Sequence, residues 1–77
     1  MPRKLRLTPL QRDVLWVLEE AGEETLLTIQ ATLKPPDPEA LNAAVAALGR
    51  IGYVRQTEEG GRAALALTKE GRQSLTA

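Results

Sequence analysis

Gly52-Tyr53-Val54-Arg55-Gln56-Thr57-Glu58-Glu59-Gly60-Gly61-Arg62-Ala63-Ala64-Leu65-Ala66-Leu67-Thr68 is the stretch that decides the architecture of this chain. A run with strand character leads up to Gly60-Gly61, and a second returns from it along Ala63 to Leu67. The two glycines can take the positive φ angles of a tight turn without steric cost. Beyond the second run, Thr68 is a good N-cap for Lys69-Glu70-Gly71-Arg72. The stretch therefore reads as a β-hairpin followed by a short C-terminal helix.

Upstream of the hairpin the pattern is helical. Thr8, Pro9 and Gln11 form a capping box with proline at the first helical position, so the first helix starts there. Leu10, Val14, Val17, Leu18 and Ala21 recur at helical spacing as its core face, and Gly22 stops it. Trp16 falls on the opposite side, among Arg12, Asp13, Glu19 and Glu20, and Leu15 sits off the core centre. Two readings of Trp16 stand open: packing against the terminal segments, or an exposed aromatic anchor for a dimer or partner. On the second, Trp16 and Leu15 form the interface.

Leu26, Ile29 and Leu33 share one face of a second helix, whose start is ambiguous because Glu23-Glu24-Thr25 fits either a small strand or a first helical turn. It ends before Lys34-Pro35-Pro36-Asp37-Pro38, since each proline disfavours helix in the residue before it. Asp37 then caps a third helix with Pro38 at its first position, running to about Gly49 or Arg50. Leu41, Ala44, Val45 and Leu48 face inward. Glu39, Ala40, Asn42, Ala43 and Ala46 face outward. Three helices, a hairpin and a short helix make an α+β chain, mainly α, of winged helix-turn-helix type: a three-helix bundle, a two-stranded wing and a C-terminal helix. Residues 1–7 read as a basic arm and 8–77 as the winged domain.

Seventy-seven residues support one small core, burying roughly 60% of the unfolded surface. With no Cys and no His, the chain lacks a thiol nucleophile, an imidazole and the usual zinc ligands, so neither an enzyme nor a metal or cofactor site is expected. No apolar run approaches the roughly 20 residues that span a bilayer, and no signal-peptide core follows Arg3, Lys4 and Arg6. A cytoplasmic protein without a membrane partner is the expectation.

The order Leu7-Thr8-Pro9-Leu10-Gln11 with Val14 and Leu15, then Ile29 and Leu33, then Leu41, Val45, Leu48, Gly52 and Val54, then Arg62 and Leu67-Thr68-Lys69-Glu70-Gly71-Arg72, resembles MarR-type winged-helix regulators over roughly residues 7–75. The Leu-Thr-x-x-Gly-Arg segment and the turn into the wing are its more specific parts. The resemblance implies a small transcriptional regulator that binds double-stranded DNA, with the third helix in the major groove and a wing arginine, here Arg62, at the flanking backbone or minor groove. Arg55, Arg50 and Lys34 become phosphate contacts, and Asn42 can bond adenine bidentately. Gly60 stands where such wings usually carry an acidic residue. MarR-like regulators dimerise through helices outside the winged module, which places any homodimer of this chain on Trp16 and Leu15.

Charge is unevenly spread. Residues 1–18 carry Arg3, Lys4, Arg6 and Arg12 against Asp13, a net of +3. Residues 19–48 set Lys34 against six carboxylates, a net of −5, and residues 49–77 carry a net of +2. The ends are basic and the helix-turn-helix is acidic, which suits a wing-plus-arm mode with Arg3, Lys4 and Arg6 reaching to DNA. The alternative is a winged-helix protein-protein interaction module without DNA binding, its alanine-rich third helix serving as a surface for a protein partner.

Overall fold

A computed structural model describes residues 6–35 and 37–76, with Glu59 and Thr76 described by their backbone alone. The elements run α1 (Pro9–Ala21), β1 (Glu23–Thr25), α2 (Leu26–Leu33), α3 (Pro38–Arg50), β2 (Val54–Glu59), β3 (Arg62–Leu67) and α4 (Lys69–Thr76). Local chemistry sets the helix starts. At α1 the Gln11 N–H donates to Thr8 Oγ1 at 3.2 Å while the Thr8 N–H donates to Gln11 Oε1 at 3.0 Å, the reciprocal capping box. At α3 the Ala40 N–H donates to Asp37 Oδ1 at 2.7 Å.

Glu23–Thr25 is a strand, and Thr25 caps α2 directly after it, its Oγ1 accepting from the Thr28 N–H. The two-stranded wing β2-β3 stands as expected, and β1 adds a third strand beside it, giving an antiparallel sheet in the order β1-β3-β2. Glu23 faces Ala66 and Thr25 faces Ala64 on one side of β3; Val54 faces Leu67 and Glu59 faces Arg62 on the other. Gly60 and Gly61 have φ of 58° and 77°. Positive φ at both central residues gives the two-residue turn whose twist matches that of the strands it joins.

Val14, Leu15 and Leu18 of α1, Ile29 of α2, Leu41, Val45 and Leu48 of α3, and Val54 and Leu65 of the sheet form one aliphatic core. Two expectations are corrected here. Ala21 is exposed at the last position of α1. Leu15, assigned above to an interface, is completely buried in the protomer. The reason is tertiary: α4 folds back over α1, where Arg72 Nε donates to Glu19 Oε2 at 3.1 Å and Leu75 packs on the core cluster. Leu15 and Glu19 are four residues apart and share that face, so the helix is covered on two sides.

The join between α3 and the wing is tightly specified. The Tyr53 N–H donates to the Leu48 carbonyl at 2.9 Å and the Gly52 N–H to the Gly49 carbonyl at 3.2 Å, with Gly52 at φ 82°. This is a Schellman ending, which satisfies the last carbonyls of the helix and needs a left-handed residue at Gly52. The start of α4 then docks on the same two residues. The Thr68 N–H donates to the Tyr53 carbonyl at 3.1 Å, the Thr68 hydroxyl donates to the Gly52 carbonyl, and Thr68 Oγ1 accepts the Gly71 N–H at 3.1 Å. Gly71 lies so close that a Cβ there would stand 2.0 Å from the Tyr53 carbonyl oxygen.

Candidate nucleic-acid interface

Helix α3 buries Leu41, Ala44, Val45 and Leu48 and exposes Glu39, Asn42, Ala43, Ala46, Gly49 and Arg50. Proline at its first position and Asp37 as cap fix where the helix begins, and hence which residues face outward. Asp37 is occupied by the Ala40 amide, and Glu39 sits in the first turn. Both carboxylates lie where the helix dipole favours negative charge. Their presence is accounted for by helix stability.

A groove of about 390 Å³ separates α3 from β2. Val45, Val54 and Leu65 contribute apolar lining from the core side, while α3 offers only the Ala46 methyl and the bare backbone of Gly49 on its outer edge. Arg50, Arg55 and Gln56 also line it. The small residues leave the space open, and one cationic residue borders it from each element, Arg50 from α3 and Arg55 from β2. Gln56 was absent from the residues expected at the site. Its signal was weak, because a glutamine one residue after an expected arginine is remarkable only once the groove is known.

Arg62 is exposed at the first position of β3, beside the Gly60-Gly61 turn. By strand alternation and register, Arg62 and Arg55 share one sheet face. They are separated by roughly 13 Å along the strands, four residues at about 3.3 Å each. Asn42 is exposed one turn before Ala46, on the outward face of α3. Lys34 is the C-cap of α2, held in a left-handed conformation at φ 47° with its N–H donating to the Gln30 carbonyl. That places it in the turn before α3, away from the groove-lining residues. Arg6 is exposed just before the α1 cap; Arg3 and Lys4 lie outside the described residues. Trp16 stands 49% exposed on α1.

Comparison with known proteins identifies the fold. No protein-family model and no curated protein sequence matches the chain. Its backbone does match solved structures. The transcriptional regulator Tm0710 from Thermotoga maritima aligns at 20% identity and a TM-score of 0.83, covering 91% of this chain and 51% of that one. The transcriptional regulator BldR from Sulfolobus solfataricus aligns at 23% identity and a TM-score of 0.82, with the same coverages. BpsR from Bordetella bronchiseptica, whose structure addresses regulation of DNA binding by 6-hydroxynicotinic acid, aligns at 20% identity and 0.81, covering 91% and 51%. The chain thus spans about half the length of these proteins. The fold is a MarR-like winged helix. Among the described residues, no helix is long and apolar enough to cross a membrane.

Proposed function

We propose that this chain is a DNA-binding winged-helix protein that regulates transcription, approaching the duplex with α3 and the wing. The observation that carries the reading is the groove that Arg50 at the end of α3 and Arg55 on β2 both border. One cationic residue on each of the two elements suits a phosphate backbone running along the rim of the groove. Arg62, on the same sheet face as Arg55, reaches the flanking backbone or the minor groove. Lys34 contacts a phosphate from the turn before α3, and Arg3, Lys4 and Arg6 form a basic arm.

Base reading by α3 is thin. Asn42 can bond adenine in the major groove, while Ala43 and Ala46 offer little beyond contact with a thymine methyl. Affinity then rests on phosphates, and salt should weaken it steeply. Four contacts, from Arg50, Arg55, Arg62 and Lys34, give a slope of about −3.6 in log affinity against log salt, or roughly a hundredfold loss between 50 and 200 mM.

Fluorescence anisotropy of a labelled random-sequence duplex at those two salt concentrations tests the reading. Salt-sensitive binding with a slope near that value supports it. Absence of binding at 50 mM salt refutes it and turns the search to a protein partner for the α3 face.

A further inference from the structure

We propose that Gln56 holds the DNA backbone inside the groove, its carboxamide NH2 donating to a phosphate oxygen. The inference rests on the DNA-binding reading above and adds to it a neutral contact between the cationic residues of the rim. Strand alternation decides which side chain the wing turns into the groove. Val54 and Leu65 belong to the core, 4% and 0% exposed. Gln56 lies on their face of the sheet, two residues after Val54 on β2 and directly across from Leu65 on β3. Arg55 falls on the opposite face and borders the groove from its rim, whereas Gln56 is turned toward α3.

Packing does not ask for an amide at this position. The residue across from it is fully buried, and an aliphatic side chain at 56 would extend the core over Leu65 and remove more apolar surface from water. Gln56 is exposed instead, and its carboxamide is hydrogen-bonded to none of the described residues. Opposite it α3 presents Ala46 and Gly49. A Cβ at Gly49 would meet nothing within 4 Å, so a group entering between these residues and Gln56 can approach the helix closely.

The occupant's chemistry follows from the position. In a helix-turn-helix the N-terminal residues of the recognition helix reach base edges. Ala46 and Gly49 lie in the C-terminal half of α3, which leaves that half to the sugar-phosphate backbone. Arg50 and Arg55 border the same groove and draw an anionic chain to it. Glutamine is among the side chains that bond phosphate oxygens, and such a contact fixes register without carrying sequence information. Glu58, next on this face of β2 toward the hairpin turn, is an exposed carboxylate that a phosphate avoids, so the donor on this face of β2 is Gln56.

Fluorescence anisotropy on two labelled duplexes of unrelated sequence, each at about 50 and 200 mM salt, tests this contact. Gln56→Ala should weaken binding about three- to tenfold, equally on both duplexes and at both salt concentrations, because a neutral contact releases no counterion and leaves the slope unchanged. Gln56→Lys should steepen the slope by about 0.9, a change that a merely structural role at this position would not produce. Both variants should melt within a few degrees of wild type, the side chain being exposed. A wild type that binds neither duplex at the lower salt refutes the DNA-binding reading and this contact with it. A wild type that binds with the expected salt dependence, while Gln56→Ala binds equally well or Gln56→Lys leaves the slope unchanged, overturns this contact alone. A loss confined to one of the two duplexes also overturns it, since the amide would then be reading a base edge.

Discussion

Replacing Gly71 with alanine should unfold this protein more readily, although helix propensity alone says the reverse. Alanine is favoured over glycine in a helix by up to about 1 kcal/mol. Here the new Cβ would lie 2.0 Å from the Tyr53 carbonyl oxygen, where contacts under 3.0 Å essentially never occur, and 3.0 Å from a Leu67 methyl. The obstacle is backbone, which has no rotamer to change. Relief requires α4 to move away, which stretches the Thr68 N–H bond to Tyr53 and the Thr68 hydroxyl bond to Gly52 and loosens Leu75 from the core cluster. Two hydrogen bonds at about 1 kcal/mol each, with the strain of overpacking, outweigh the propensity gain. The net loss is about 2 to 3 kcal/mol. Against a total of roughly 4 to 12 kcal/mol for a chain of this size, thermal denaturation followed by circular dichroism should show Tm lower by roughly 10 to 20 °C. Gly49→Ala is the control: that residue sits in α3 without a positive φ, and a Cβ there meets nothing within 4 Å. It should raise Tm by a few degrees. If Gly71→Ala melts at or above the wild type, the account of the junction is wrong.

Leu15→Ala should cost about 2 to 5 kcal/mol in urea denaturation, whereas Trp16→Ala should stay within about 1 kcal/mol of wild type; equal effects would contradict the burial difference between the two. Thr68→Val removes both the α4 cap and the link to Gly52, and should cost about 1 to 2 kcal/mol by the same measurement. For DNA, Arg62→Ala should weaken binding to random duplex and flatten the salt slope by about 0.9, and the Arg50→Ala, Arg55→Ala double variant should flatten it by about 1.8. Unchanged slopes in anisotropy titrations would remove these side chains from the interface.

What could be read from the residues in advance was whatever local chemistry settles. The Thr8 capping box, the Asp37-Pro38 start of α3 and the Gly60-Gly61 turn each need only a few adjacent residues, and all three stand where expected. The strand β1 could not be separated from a helical turn, because three residues carry no period and its partner, Ala64 to Ala66, lies some forty positions away. Leu15 was misplaced for the same kind of reason: its burial comes from α4 packing on α1, a contact that α1's own periodicity does not contain. Arg50 and Arg55 were legible one at a time. The groove they share, with Gln56 beside them, exists only after α3 and β2 are brought together.

The docking of Thr68 and Gly71 onto Gly52 and Tyr53 has a mechanical meaning. The helix and the strand that form the two walls of the groove diverge at that corner, and α4 braces it from behind like a gusset. On the proposed mode of binding, a duplex entering the groove would meet walls already tied to each other at that corner. With alanine and glycine on the helical wall, that mode would sort duplexes by width and curvature more than by the pattern of hydrogen-bonding groups along them.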